Sequence, residues 1–212
     1  QHGWGFNRDC FKGWLSQLQG SDLTFLDRGY WGNENAFPQI LHSGYNVLVC
    51  HSLGLHFFTK DQLNSVDMIV VLGGFVCFHG HNPANQISRK HINRMQVRLQ
   101  REPDQLLKDF YRDCSWYGEV PDIALLNLDL LAADLDLLDT VCLQYEPLRD
   151  VKVLILHGSN DRIVPVDRAD ELQKKLTGTL FQINGAGHGL PFTHVQQCLE
   201  IIRDKLCGSQ ID

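Results

Sequence analysis

Five short stretches of this chain are apolar without alternation. They are LTFLD (23–27), YNVLVC (45–50), VDMIVVLGG (66–74), VKVLILHG (151–158) and GTLFQING (178–185). A strand with one wet face alternates polar and apolar side chains. A run that does not alternate has both faces covered, as in parallel sheets flanked by helices. Helical patterns lie between the runs. RDCFKGWLSQL (8–18) repeats Phe11, Leu15 and Leu18 at helical spacing, and VDRADELQKKL (166–176) and THVQQCLEIIRDKL (193–206) read as amphipathic helices. The alternation predicts an α/β fold with a mainly parallel sheet.

Residues 82–145 break that rhythm. They hold no strand candidate and are helically periodic, from HNPANQ through REPDQLL to DIALLNLDLLAADLDLLD (122–139). The expected organisation is a first core part (1–81), an all-helical insertion (82–145) and a second core part (146–212). The insertion either caps a site or simply packs. A chain of 212 residues, 43% hydrophobic and 21% charged, suits one domain of this size.

Bulk properties exclude several function classes. Nineteen basic against 25 acidic residues give a formal charge of −6, which argues against a general nucleic-acid or membrane-surface binder. No apolar run approaches the roughly 18 residues that span a bilayer, and nothing at the start reads as an export signal. Cys10, Cys50, Cys77, Cys114, Cys142, Cys198 and Cys207 are scattered, odd in number and form no CxxC pair. Reduced, cytosolic thiols are expected, without a metal. His79 and His81 stand two apart in FHGHN, but a metal site needs further ligands, so they read as loop histidines near a pocket rim.

In open parallel sheets, ligands bind beyond the carboxyl ends of the strands. Three polar residues fall there. Ser52 follows the run 45–50 in VCHSLG, Asp161 follows 151–157 in HGSNDRIVP, and His188 follows 178–183 in NGAGHGLPF. Serine, acid and histidine occur in that chain order. A serine hydroxyl needs a base that is unprotonated near neutrality, and histidine fits. The histidine needs an acceptor at its other nitrogen to fix its tautomer and stabilise imidazolium. Each residue alone has a bland reading: Asp161 could cap the helix near Pro165, and a histidine among glycines is usually just loop. The joint pattern is specific. Developing oxyanion charge would be met by the backbone N–H of Leu53 and, if His2-Gly3 in QHGWGF is the second donor motif, by that of Trp4.

HGWGFN, SLG, HGSNDRIVP and GAGHGLPFTH together resemble the α/β-hydrolase superfamily. Within it they resemble the esterases that cleave pimeloyl-[acyl-carrier-protein] methyl ester in biotin synthesis. The resemblance runs from residue 1 to 206 and is diffuse through the insertion. It implies a cytoplasmic, cofactor-free serine carboxylesterase, a monomer, with Ser52, Asp161 and His188 as its triad. It also implies a substrate carried on an acidic acyl carrier protein, whose docking surface is basic. SRKHINRMQVRLQR (88–101) has five basic side chains and no acidic one. Lys90, Arg94, Arg98 and Arg101 fall on one helical face, and Ile92, Met95 and Leu99 on another. That face either receives the carrier or is merely solvated.

Two departures stand out. Cys50 replaces the first glycine of G-x-S-x-G. His51 stands where the resembling esterases tend to have an aromatic, which makes it an acyl-pocket residue beside Trp4 and Phe78. Trp4, Tyr30, Trp31 and Phe78 line a channel or close the core. The alternatives are a general small-molecule carboxylesterase or thioesterase, and a non-catalytic hydrolase-like binding protein. The intact serine, acid and histidine argue against the last.

Overall fold

The computed structural model describes residues 1–32, 34–40, 44–80, 84–120, 122–144, 148 and 150–207. Four strands, β1 (Val47–His51), β2 (Met68–Leu72), β3 (Lys152–Gly158) and β4 (Thr179–Ile183), form one sheet in the order β1-β2-β3-β4. All pairings are parallel, with Cys50 opposite Val71, Val71 opposite Ile155, and Ile155 opposite Leu180. The helices are α1 (Lys12–Leu15), α2 (Lys60–Asn64), α3 (Ala84–Arg101), α4 (Pro103–Asp113), α5 (Leu128–Thr140), α6 (Val166–Leu176), α7 (Leu190–Thr193) and α8 (Val195–Cys207). No helix among the described residues is long and apolar enough to cross a membrane.

The uninterrupted apolar runs are explained by two cores, one on each face of the sheet. Met68, Val70, Leu72, Leu154 and Leu156 join one, with Leu199 and Ile202 of α8 and Ile92, Leu107, Leu131 and Leu135 of α3–α5. Ile69, Val71, Val153 and Ile155 join the other, with Leu63 of α2 and Ala169, Leu172 and Leu176 of α6. Each fully buried aliphatic side chain stabilises the fold by about 1.5–3 kcal/mol, so β2, buried along its whole length, has no position free to be polar.

Three helices, α3, α4 and α5, occupy the crossover between β2 and β3. Pro103 opens α4, where its missing N–H costs nothing. Asn127 caps α5, its side chain accepting from the Leu130 N–H at 3.0 Å. The loop after β2 is fastened to these helices through His79, which is buried. His79 Nε2–H donates to Asp139 at 2.8 Å, and Nδ1 lies 2.6 Å from Ser88 Oγ. His81 lies outside the described residues.

Three expectations are corrected. Residues 23–27 are not a strand. The Gln1 nitrogen donates to Val49 O at 2.7 Å and the His51 N–H to Gln1 O at 3.0 Å, so the N-terminal residue takes the edge of β1. Leu26 is still buried against the sheet. The helix expected over 8–18 is a 3₁₀ turn, Arg8–Phe11, followed by the single turn α1. Three residues per turn shift the phase. Trp14 therefore goes inward, its Nε1–H donating to Pro191 O at 2.7 Å, and Leu15 is exposed.

The third correction concerns the thiols. Cys77 and Cys142 form a disulfide across a sequence separation of 65. Beside it the Leu143 N–H donates to Val76 O at 3.0 Å. The bridge closes the neck of the helical insertion. Spacing could not reveal it, because the partners meet only once the insertion has folded. A structural disulfide persists under an oxidising poise, so cysteine usage no longer supports a cytosolic setting.

The N-terminal segment is anchored by charge. His2 Nδ1–H donates to Gly3 O at 2.8 Å, and Nε2 accepts the Arg28 N–H at 2.9 Å. Asp27 beside it accepts from the N–H groups of Gly29 and Arg8 at 2.9 and 3.0 Å. Burial opposes the Asp27 charge, but its hydrogen-bonded surroundings, those two N–H groups among them, outweigh it and hold the carboxyl down to about 2.

Two stability measurements follow. Cys142→Ser, or reduction of the wild type, should lower the unfolding free energy by about 4 kcal/mol, the loop-entropy value for a closed loop of this length. Urea titrations with and without reductant measure it, and an unchanged midpoint would show that the bridge contributes nothing. Asp27 has a depressed folded pKa, so its contribution is complete above the unfolded value of about 4 and disappears as pH falls towards about 2. The stability gap between wild type and Asp27→Asn should accordingly be present at pH 6 and narrow between about pH 4 and 2.

Candidate active site

Strand β1 delivers Ser52. The chain leaves the strand at His51 and enters a 3₁₀ turn, Ser52–Phe57, with Ser52 itself at φ 54°. A non-glycine residue in this left-handed region is held there against a conformational preference, which is how an elbow presents a side chain outward. The segment 1–3 lies directly on the elbow. A Cβ on Gly3 would stand 2.9 Å from Ser52 Cβ, and one on Gly54 2.7 Å from His2 O. Glycine is thus required at the second motif position. At the first, Cys50 sits within β1 opposite Val71 and faces the α2/α6 core. Burial pushes its thiol up to about 12, so it is no competing nucleophile at neutral pH.

Strand β3 delivers Asp161. Its Oδ1 accepts from the N–H groups of Ile163 and Val164 at 2.9 and 2.8 Å, and its Oδ2 accepts from His188 Nδ1–H at 2.7 Å. Burial opposes the charge, yet His188 and the Val164 N–H hold the carboxyl below the usual carboxylate range. His157 lies 3.7 Å from the same oxygen, with its Nε2–H on Val164 O at 2.8 Å. Burial lowers its pKa, so it stays neutral there. Gly73, at the end of β2 with φ 58°, leaves room for the pair: a Cβ there would stand 3.2 Å from His188 Nδ1. With Nδ1 bonded to the carboxylate, His188 keeps Nε2 for chemistry.

Ser52 and His188 line one pocket of about 320 Å³. Among the described residues no hydrogen bond joins them, and in unliganded sites such contacts are commonly long and tighten with substrate. The pocket wall is largely apolar and aromatic, with Phe6, Phe78, Met95, Leu106, Phe110 and Leu138. Trp4, His51, Leu53 and Phe78 all line it. Tyr30 does not. It is fully buried, donating to Asp134 at 2.6 Å, and Trp31 lines a different cavity.

No hydrogen bond to the Trp4 N–H is found among the described residues, and the Leu53 N–H is second in the 3₁₀ turn, where a helix has no internal acceptor. The Trp4 indole is fixed by donating to Leu131 O at 2.9 Å and by its edge contact with Phe110.

The basic face is less basic than its sequence implies. Arg98 pairs with Glu102, and with Asp109 at 2.7 Å. The stretch 88–101 has no acid of its own, but α4 returns one to it. Lys90, Arg94 and Arg101 remain exposed, and Arg94 lines the pocket together with Arg162. Sequence reasoning missed Arg162, although it immediately follows Asp161. It missed Gly73 and His157 as well, since nothing in the chain marks which glycine or histidine will approach the acid.

No protein-family profile and no curated protein matches the sequence. Solved structures do resemble the fold. An esterase (EaEST) from Exiguobacterium antarcticum is 16% identical with a TM-score of 0.74, covering 96% of this chain and 89% of its own. An epoxide hydrolase from Bacillus megaterium is 17% identical with a TM-score of 0.69, covering 97% and 91%. A bromoperoxidase from Bacillus anthracis is 16% identical with a TM-score of 0.66, covering 97% and 89%. The fold of this chain is that of the α/β-hydrolases, a parallel sheet flanked by helices.

Proposed function

We propose that this chain is a serine carboxylesterase in which Ser52 is the nucleophile, His188 the base and Asp161 its orienting acid. The observation that carries the reading is a buried histidine, held at 2.7 Å by an ionised aspartate, sharing an apolar pocket with a serine on a strained elbow. The ester carbonyl lies over Ser52 with its acyl chain in the pocket. His188 Nε2 takes the hydroxyl proton as Oγ attacks, and the tetrahedral oxyanion is met by the N–H groups of Trp4 and Leu53. Imidazolium then gives its proton to the departing alcohol. Water enters, His188 takes its proton, and the acyl-enzyme is hydrolysed. Asp161 stays ionised and fixes the proton at Nδ1.

The substrate class we propose is an acyl methyl ester, pimeloyl-[acyl-carrier-protein] methyl ester in the first instance. An apolar pocket suits the acyl chain. Exposed Lys90, Arg94, Arg101 and Arg162 suit an acidic carrier outside it. A general carboxylesterase or thioesterase is the second reading, favoured by the pairing of Arg98 with Glu102 and Asp109, which thins the basic face.

Ser52→Ala should lower kcat on p-nitrophenyl butyrate at least about a thousandfold. Undiminished turnover in that variant would sink the esterase reading. Lys90→Glu with Arg101→Glu should raise KM for a carrier-linked methyl ester about tenfold, and more steeply at low salt, with p-nitrophenyl butyrate unaffected. Parallel changes on both substrates would leave the general esterase.

A further inference from the structure

His51 is wholly buried, adjacent to the nucleophile in the chain and packed against the ring of the base, and the mechanism above gives it no part. Its Nε2 lies 2.9 Å from the backbone carbonyl of His188, and its ring packs 4.8 Å from the His188 ring at 44°. A carbonyl oxygen only accepts, so the His51 proton is on Nε2. Nδ1 is buried with no hydrogen-bond partner among the described residues, so nothing competes for the opposite tautomer. Burial and the neighbouring His188 both push the His51 pKa well down, and the ring is neutral.

We propose that His51 is a positioning residue: its Nε2–H···O=C bond to His188 fixes where the catalytic imidazole stands relative to Ser52. The inference rests on the reading of Ser52, His188 and Asp161 as the reacting set. His188 is carried by a loop that gives it little stiffness of its own, with Gly185, Gly187 and Gly189 around it and Gly185 at φ 78°. Asp161 tethers the side chain at Nδ1, which still leaves the ring free to tilt about that contact. The carbonyl of the same residue is the second tether, and His51 holds it. His51 is the last residue of β1 and Ser52 is the next in the chain. Nucleophile and base are thus referred to the same two residues of backbone, so the Ser52–His188 geometry does not depend on the loop alone. A displacement of about 1 Å in such a pair can cost on the order of a hundredfold in rate.

The side chains that replace His51 separate this role from packing. Gln places an amide donor near the Nε2 position, Asn reaches only the Nδ1 position, and Phe keeps a ring without a donor. On p-nitrophenyl butyrate, His51→Phe and His51→Asn should lose about 10- to 100-fold in kcat with KM within about twofold. His51→Gln should stay within about threefold of wild-type kcat. Thermal unfolding of each variant checks the fold. If the Phe variant does not fold, the contrast between Gln and Asn carries the test. Wild-type kcat in Phe or Asn, equal losses in Gln and Asn, or a rise in KM at unchanged kcat would each overturn the positioning role. Ser52→Ala is assayed alongside. An inactive Ser52→Ala with a fully active His51→Phe overturns this proposal alone, whereas an active Ser52→Ala overturns the reading of the site and the proposal with it.

Discussion

The segment QHGWGF holds the sheet, the elbow and the helical insertion in one arrangement. Gln1 bonds the edge of β1 at Val49 and His51. Gly3 lies against Ser52 at a separation that no side chain tolerates. Trp4 donates to Leu131 in α5, Gly5 O accepts from the Tyr111 hydroxyl of α4, and Phe6 packs on Tyr111 and Phe192. A shift of this segment would move the elbow, the pocket wall and the attachment of α4 and α5 together. Its residue types follow from these duties. Glycine is needed where backbone meets backbone, tryptophan where an apolar body must end in a donor, and phenylalanine where several rings converge.

A second constraint is electrostatic. One ionised carboxylate is buried at the carboxyl end of β3, and isolated buried charge is costly. Two N–H groups and one imidazole N–H compensate Asp161 directly. The other two imidazoles nearby are kept neutral by burial, each committed through Nε2–H to a backbone carbonyl, His51 to His188 and His157 to Val164. Neutrality matters here. A second cation beside Asp161 would divide its attraction and oppose formation of the His188 imidazolium on which the proposed acyl transfer depends. The three histidines are the same residue type, and environment alone separates their roles.

Legibility in the sequence followed the range of the interaction. The core strands were readable because two-sided burial is written into each run locally, and Ser52, Asp161 and His188 were readable because each follows such a run. What depended on tertiary return was not. LTFLD has the composition of a strand, but Gln1 claims the edge it would pair with. The stretch 88–101 reads as unopposed positive charge, until α4 brings Asp109 back to Arg98. Cys77 and Cys142 carry no spacing signal, because the insertion decides that they meet. The helix over 8–18 failed for a local reason that was still hard to read: a 3₁₀ turn changed which aromatic faced inward. Phe78 lines the pocket because of its place between the disulfide and His79, which only the fold supplies.

The pocket lining also bears on which molecules the proposed reaction would favour. Next to Ser52 its lining holds a neutral His51. Its wall is aromatic and aliphatic. Charge appears where Arg94, Arg98, Arg162, Asp109 and Asp113 line it, and Arg98 is matched by Asp109. On the proposed reading, an uncharged ester enters without desolvating a formal charge and is stabilised by apolar burial. The acid left by hydrolysis is a carboxylate. Beside Ser52 and the neutral His51 it would have to give up water to remain. Under that reading the lining that suits the ester would disfavour the product, so acyl-chain burial could be large without trapping the acid. A cationic residue at position 51 would strengthen product binding for the same reason, which gives a neutral imidazole there a second advantage beyond holding His188.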